Sequence, residues 1–264
     1  LKKGDMLAEG STAQIFEWDE NKVVKIFHKN ICEASIIEEL TKSKKLNETG
    51  LSVPKAFEMV NIDGRTGIVL EKVKGLPLTN YLLTNLFSAL RYIKIMAKLH
   101  ADIHKKNSID LPALKSILQM KIEKSNHFTD LEKEQLVMQL HSLPDGVYLC
   151  HCDYHPNNIM VNDEKQVIID WADATIGDNV ADLARTIIIL KFGGFSENLS
   201  IMQYIFQRII RLILCKAYLH YYKKCMPFQA KAFRKWNAPV AAARLNEQLT
   251  AKERQRLRRL IKFK

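Results

Sequence analysis

The stretch His151-Cys152-Asp153-Tyr154-His155-Pro156-Asn157-Asn158, with Ile168-Ile169-Asp170-Trp171 after it, decides how this chain is read. It sets a carboxylate, a carboxamide and a second carboxylate at Asp153, Asn158 and Asp170. Val147-Tyr148-Leu149-Cys150, Ile159-Met160-Val161 and Gln166-Val167-Ile168-Ile169 read as three short buried strands. Polar residues at the ends and turns of such strands are held rigidly while still facing solvent or a ligand. Asp153 can accept a proton from an attacking hydroxyl, and Asn158 and Asp170 can hold a magnesium ion against phosphate oxygens. Phosphoryl transfer asks for little more than positioning and charge neutralisation, so these three groups form a minimal set for it. The plain alternative is a β-hairpin with scattered polar residues.

The pattern His151-x-Asp153-x-x-x-x-Asn158 followed by Ile169-Asp170-Trp171 resembles the catalytic loop and metal-binding segment of the aminoglycoside phosphotransferase and choline kinase superfamily. Protein kinases carry His-Arg-Asp and Asp-Phe-Gly at the corresponding places. Here Cys152 stands for the Arg and Trp171-Ala172 for Phe-Gly, which points to the small-molecule branch. Gly177-Asp178-x-x-x-Asp182-Leu183-Ala184 extends the match. The resemblance implies an α+β, protein-kinase-like fold of two lobes: a small antiparallel-sheet N-lobe over residues 1–72 and a larger, mainly helical C-lobe over 73–264. It also implies ATP, or GTP, as phosphoryl donor and Mg2+ as cofactor. A protein kinase is disfavoured, because Gly177-Asp178 follows Asp170 too closely for an activation segment and no Ala-Pro-Glu appears.

The amino-terminal third supplies the other half of a nucleotide site. Leu7 to Trp18 reads as strand, small-residue turn and strand, with Gly10, Ser11 and Thr12 at the turn. Such a turn lets main-chain N–H groups approach phosphate oxygens. Lys25, inside Val23-Val24-Lys25-Ile26-Phe27, is the candidate ligand of the α- and β-phosphates, or else a lysine on a solvated strand face. Its acidic partner belongs on a helix from after Asn30 to about Leu46 that carries Glu33, Glu38 and Glu39. Counting back from Gly50-Leu51-Ser52-Val53-Pro54, a run similar to the superfamily's helix-to-strand connection, favours Glu39, with Glu38 next. Gly67-Ile68-Val69-Leu70 reads as a buried strand that leads through Glu71 to Gly75-Leu76-Pro77. The resemblance implies main-chain contacts from Glu71 and Val73 to the adenine edge; the plain reading is a strand exit with a turn.

The chain has 264 residues, 47% of them apolar, enough for two lobes with a proper core. No apolar run reaches the roughly 18 residues of a spanning helix. No charged-then-apolar leader opens the sequence, so a cytoplasmic location is expected. Five cysteines without a regular framework suit free thiols in a reducing compartment. Cys150, His151, Cys152 and His155 match none of the usual zinc spacings. Leu86 to His104 has a helical apolar period, and segments 112–142 and 198–224 also read as helices. His100 and His104 lie four apart on the first of these and are read as structural, since no Glu follows His100 as in a zinc protease.

Charge is distributed unevenly. The chain carries +11, but from Leu183 to Lys264 there are 18 basic residues and three acidic ones, Glu197, Glu247 and Glu253. A polycationic acceptor needs carboxylates, so a neutral or anionic hydroxyl compound is expected as substrate. Basic residues on outward faces weaken that inference. The tail Lys252–Lys264 carries Leu257, Leu260 and Ile261 on one helical face among Arg and Lys. It reads as a helix packed on its lobe, with a membrane surface or an acidic partner as the alternative; no nucleic-acid motif accompanies it. Two functions remain from the sequence: an O-phosphotransferase acting on a small hydroxyl compound, and a non-catalytic nucleotide-binding scaffold docking a partner through the basic surface.

Overall fold

The computed structural model describes residues 4–82, 84–106, 109–162, 165–193 and 200–263. The chain forms two compact units, residues Leu1–Leu78 with Asn157–Asp173, and Thr79–Pro156 with Ala174–Lys264.

The first unit opens with β1 (Met6–Glu9), β2 (Ala13–Asp19) and β3 (Lys22–Phe27), followed by α1 (Glu33–Asn47), β4 (Ala56–Ile62), β5 (Arg65–Glu71) and the short β6 (Leu76–Pro77). Strands β1 to β5 make one antiparallel sheet in the order β1-β2-β3-β5-β4. The β4–β5 turn places Asp63 and Gly64 at φ 51° and 71°, the left-handed pair that a tight hairpin matched to strand twist requires. Alternate residues of the sheet point inward: Phe16, Val24, Ile26, Ile62 and Val69 form one apolar cluster. Ala13, Phe27, Ile36 and Ile68 form another, which takes in a residue of α1.

In the second unit come α2 (Leu78–Leu82, its first residue in the first unit), α3 (Leu86–His104), α4 (Leu114–Glu123), α5 (Asp130–His141) and β7 (Tyr148–Cys150). The chain then returns to the first unit with β8 (Ile159–Val161) and β9 (Gln166–Ile168). These pair antiparallel with each other, and β8 also pairs with β6. Further hydrogen bonds tie this segment to the amino-terminal residues: Ile168 N–H to Ser52 O at 2.9 Å and Asn162 Nδ2 to Lys74 O at 3.2 Å.

The second unit resumes with β10 (Thr175–Gly177), paired with β7, and then α6 (Asn179–Phe192), α7 (Ile201–Cys225), α8 (Ala230–Arg244) and α9 (Ala251–Arg258). Capping boxes start α5 at Thr129, α7 at Ser200 and α9 at Thr250, each Ser or Thr exchanging hydrogen bonds with the Glu or Gln three residues on. Gly177 is sterically required: a Cβ there would lie 2.4 Å from Leu114 Cβ. The unit's core gathers Leu114, Leu118, Ile122, Leu140, Trp236 and Ala241.

The tail beyond Thr250 adds Leu257 and Ile261 to that core, 1% and 8% exposed. The apolar side that a membrane surface would need is therefore buried, while Arg258, Arg259 and Lys262 stay exposed. Among the described residues no helix is long and apolar enough to cross a membrane, and all five cysteines are free thiols.

Candidate active-site residues

In the first unit, Lys25 lies in the middle of β3, where its neighbours Val24 and Ile26 are fully buried. Its ammonium is 2.7 Å from Glu39 Oε1 and 3.1 Å from Asp170 Oδ1. Burial works to lower the Lys25 pKa, but the Asp170 and Glu39 carboxylates outweigh it and hold the ammonium raised, firmly protonated. Glu38, one residue earlier on α1, instead pairs with Lys42 at 2.9 Å. Lys42, which sequence reasoning passed over, also donates to Ala172 O at 3.0 Å, next but one to Asp170.

Asn158 and Asp170 flank the β8–β9 ladder. Ile159 faces Ile168, and Ile169 N–H donates to Asn158 O at 2.9 Å, so the pairing brings the two polar residues to the same end of the hairpin. Asp170 takes a left-handed backbone, φ 60°, which is uncommon for a residue other than glycine and turns the chain out of the strand. The donor set is a carboxylate and a carboxamide, hard oxygens of the kind that suit magnesium.

Gly10, Ser11 and Thr12 form the β1–β2 turn. It is closed by Gly10 N–H to Ala13 O at 2.8 Å and by His28, whose N–H reaches Thr12 O at 2.9 Å and whose ring lies 3.2 Å from Gly10 O. His28 is a second residue that the sequence did not announce. Among the described residues, a Cβ at position 10 would meet only Ala13 O, at 3.6 Å. Glu71 ends β5, its N–H donating to Lys55 O at 2.8 Å, and Val73 follows in irregular chain.

In the second unit, Asp153 follows Cys152, whose φ of 62° makes the turn after β7. The fully buried Asp182 of α6 holds that turn. Its Oδ2 accepts from His151 N–H at 2.7 Å, and its Oδ1 from Cys152 N–H at 3.0 Å. Asp182 Oδ2 also lies 3.1 Å from His100 Nε2 and 3.2 Å from His104 Nε2. The other ring nitrogens meet the Tyr218 and Tyr222 hydroxyls. Among the described residues this trio is the only group of three or more His, Cys, Asp or Glu donors close enough to share an ion. Both ring nitrogens of each histidine already have protein partners, so hydrogen bonding accounts for the group. Burial, with His104 beside it, pushes His100 down to about 3, leaving a neutral imidazole.

Asp153 itself is part-exposed, with Oδ2 3.3 Å from His155 Nε2 and Oδ1 3.4 Å from Arg185 Nη2. Burial favours its neutral form, but the His155 hydrogen bond and the positive charges of Arg185 and the neighbouring histidines outweigh that. They hold the carboxyl well below the usual range. Asp178 caps α6 by accepting from Val180 N–H at 2.8 Å and takes a bond from Trp236 Nε1 at 3.1 Å, so it is a structural carboxylate.

The antiparallel-sheet and mainly helical units are those of a kinase-like fold, and the family match gives the class. The profile of the phosphotransferase enzyme family (APH) matches residues 7–203, and the chain belongs to that family. Among solved structures, the amicoumacin kinase hAmiN in complex with AMP-PNP, Ca2+ and Ami aligns with a TM-score of 0.60 at 17% identity, covering 97% of this chain and 86% of that one. The aminoglycoside-3'-phosphotransferase of type VIII gives 0.64 at 16%, covering 90% and 91%. The aminoglycoside phosphotransferase APH(3'')-Id from Streptomyces rimosus, in complex with ADP and streptomycin, gives 0.58 at 14%, covering 89% and 91%. At these identities the likeness establishes the shared fold. A search of curated proteins finds no significant match.

Proposed function

We propose that the protein transfers the γ-phosphoryl group of ATP, or of GTP, to a hydroxyl of a small neutral or anionic molecule. The observation that carries this reading is the Lys25 ammonium set between Glu39 and Asp170 at 2.7 and 3.1 Å. A buried, fixed positive charge beside an Asp that shares the end of a strand pair with Asn158 is what a triphosphate and its metal require. Lys25 binds the α- and β-phosphates, Glu39 orients Lys25, and the Gly10–Thr12 turn offers main-chain N–H groups and two hydroxyls to the phosphates. Glu71 and Val73 meet the adenine edge through their main chain. Asn158 and Asp170 would hold Mg2+, which would neutralise phosphate charge. Asp153 accepts the proton of the acceptor hydroxyl; kept ionised, it is ready to do so, and a loose phosphoryl-transfer transition state does not demand a strong base.

The places where the late carboxylates are spent support a neutral or anionic acceptor. Glu247 is tied to Arg185 and Arg244 at 2.7 and 3.0 Å. Glu253 is buried in the α9 capping box. Glu197 lies outside the described residues. No carboxylate of the late helices, among the described residues, is left to line a polycation site. Most late lysines and arginines face outward, so they contribute a general field and not a lined pocket.

The test is purified protein with ATP or GTP, magnesium and a panel of aminoglycosides, choline, homoserine, sugars and nucleosides, read by ADP or GDP release. Stimulated release with a neutral or anionic alcohol supports the reading. Nucleotide binding without release from any member would favour the non-catalytic scaffold.

A further inference from the structure

Arg185 follows Asp182 by three residues on α6, so the two side chains leave neighbouring positions on one face of the helix. Asp182 holds the main chain of His151 and Cys152, and Arg185 reaches the side chain of the next residue, Asp153, at 3.4 Å. Its Nη1 is 2.7 Å from Glu247 Oε1, and Glu247 Oε2 is 3.0 Å from Arg244 Nη1. The two arginine side chains are 8% and 11% exposed, while Asp153 and Glu247 are 29% and 28% exposed. Two buried guanidinium groups and two part-exposed carboxylates are thus linked in one chain of ion pairs. Removing either carboxylate would leave a buried guanidinium less compensated. A planar guanidinium can bind two carboxylates at fixed angles, which an ammonium cannot.

We propose that Arg185, braced from behind by Glu247 and Arg244, is a positioning residue that keeps the Asp153 carboxylate ionised and in one orientation for proton transfer. The inference rests on the proposed role of Asp153 as base. Asp153 is faced by Arg185 from α6 and by His155 and His151 from its own loop. Of these, Arg185 alone is a guanidinium, a permanent cation.

The test is ADP release from magnesium-ATP, with water and with each alcohol of the panel as acceptor. Arg185→Gln is expected to lower kcat by about 10- to 100-fold, the cost of a misplaced catalytic group. Affinity for AMP-PNP should stay within about twofold, since Arg185 is assigned to the base and not to the nucleotide. Removing the positive charge lets Asp153 hold a proton at higher pH, so the acid limb of the rate profile should move upward. Arg185→Lys should recover part of kcat, and Glu247→Gln should lower kcat less than Arg185→Gln does. In an Asp153→Asn background, Arg185→Gln should change nothing further, because coupled residues are not additive. A folded Arg185→Gln with wild-type kcat and an unmoved acid limb overturns the inference, as does an equal loss in the Asp153→Asn background. If Arg185→Gln does not fold, the kcat values of Arg185→Lys and Glu247→Gln decide: unchanged from wild type in both, the inference falls. Wild-type turnover by Asp153→Asn alone would overturn the role of the base itself, which keeps the two failures apart.

Discussion

The Lys25 ammonium and the Glu39 carboxylate stand 2.7 Å apart, with both side chains close to fully buried, while Glu38 pairs with Lys42 and is half exposed. Two adjacent glutamates on one helix therefore carry different consequences. Glu39→Gln should weaken AMP-PNP binding by about tenfold and destabilise the fold, breaking a buried pair costing roughly 3–5 kcal/mol at most. Glu38→Gln, at a part-exposed pair, should cost under about 1 kcal/mol and leave nucleotide affinity alone. Nucleotide titration and urea unfolding of both variants check this. Equal damage from the two would remove Glu39 from its role.

Stability should fall on acidification before the carboxylates titrate. His100 is held neutral down to about pH 3, whereas in the unfolded chain it takes up a proton near 6.5. Between those values the unfolded state binds more protons, so stability rises with pH and is lost as pH falls from 6.5 toward 3. The slope is at most about 1.4 kcal/mol per pH unit for this one group. Urea unfolding of wild type and His100→Gln between about pH 7 and pH 4.5 should show a shallower dependence in the variant. Parallel curves would mean that His100 is charged in the folded protein.

The tail is part of the core. Leu257→Ala should cost about 2–5 kcal/mol, as for other fully buried leucines. Arg259→Ala, on an exposed side chain, should stay within about 0.5 kcal/mol. Unfolding midpoints test both, and a neutral Leu257→Ala would mean the tail is not docked in solution.

Local signals were readable and long-range ones were not. The spacing of Asp153, Asn158 and Asp170 and the apolar period of Leu86–His104 are properties of short windows, and α3 spans those same residues. Counting back from the Gly50–Pro54 run, whose resemblance lies in a short window, favours Glu39 over Glu38, and it is Glu39 that stands 2.7 Å from Lys25. By contrast, residues 157–173 group with the amino-terminal strands through bonds such as Ile168 to Ser52, which no window contains. The pattern Gly177-Asp178-x-x-x-Asp182 was visible, but not that one aspartate caps a helix while the other holds the loop before the candidate base. His100 and His104 had a faint signal, since their partners Tyr218 and Tyr222 share the same four-residue spacing. Arg185 stood inside an apolar run, and its use became visible only with Glu247 beside it.

A polycationic acceptor should be handled poorly. Kanamycin should show low apparent affinity that improves with added salt, since surface fields are screened over about 10 Å at 0.1 M. An anionic alcohol should bind less well under the same change, and a neutral one should be indifferent. ADP release at low and high ionic strength measures all three. Tight, efficient phosphorylation of kanamycin at low salt would contradict the assigned acceptor class.

The most direct measurement is the turnover and nucleotide affinity of Asp153→Asn set beside those of Asp170→Asn. Asp153 is assigned to the acceptor hydroxyl, so Asp153→Asn should lose turnover by about 100-fold or more while magnesium-AMP-PNP affinity stays within a few-fold. Asp170→Asn should instead lose magnesium-dependent affinity, because Asp170 is assigned to the metal and stands beside Lys25. Asp153→Asn retaining most of its activity, or losing nucleotide binding as Asp170→Asn does, would contradict the division of labour on which the proposed phosphotransferase rests.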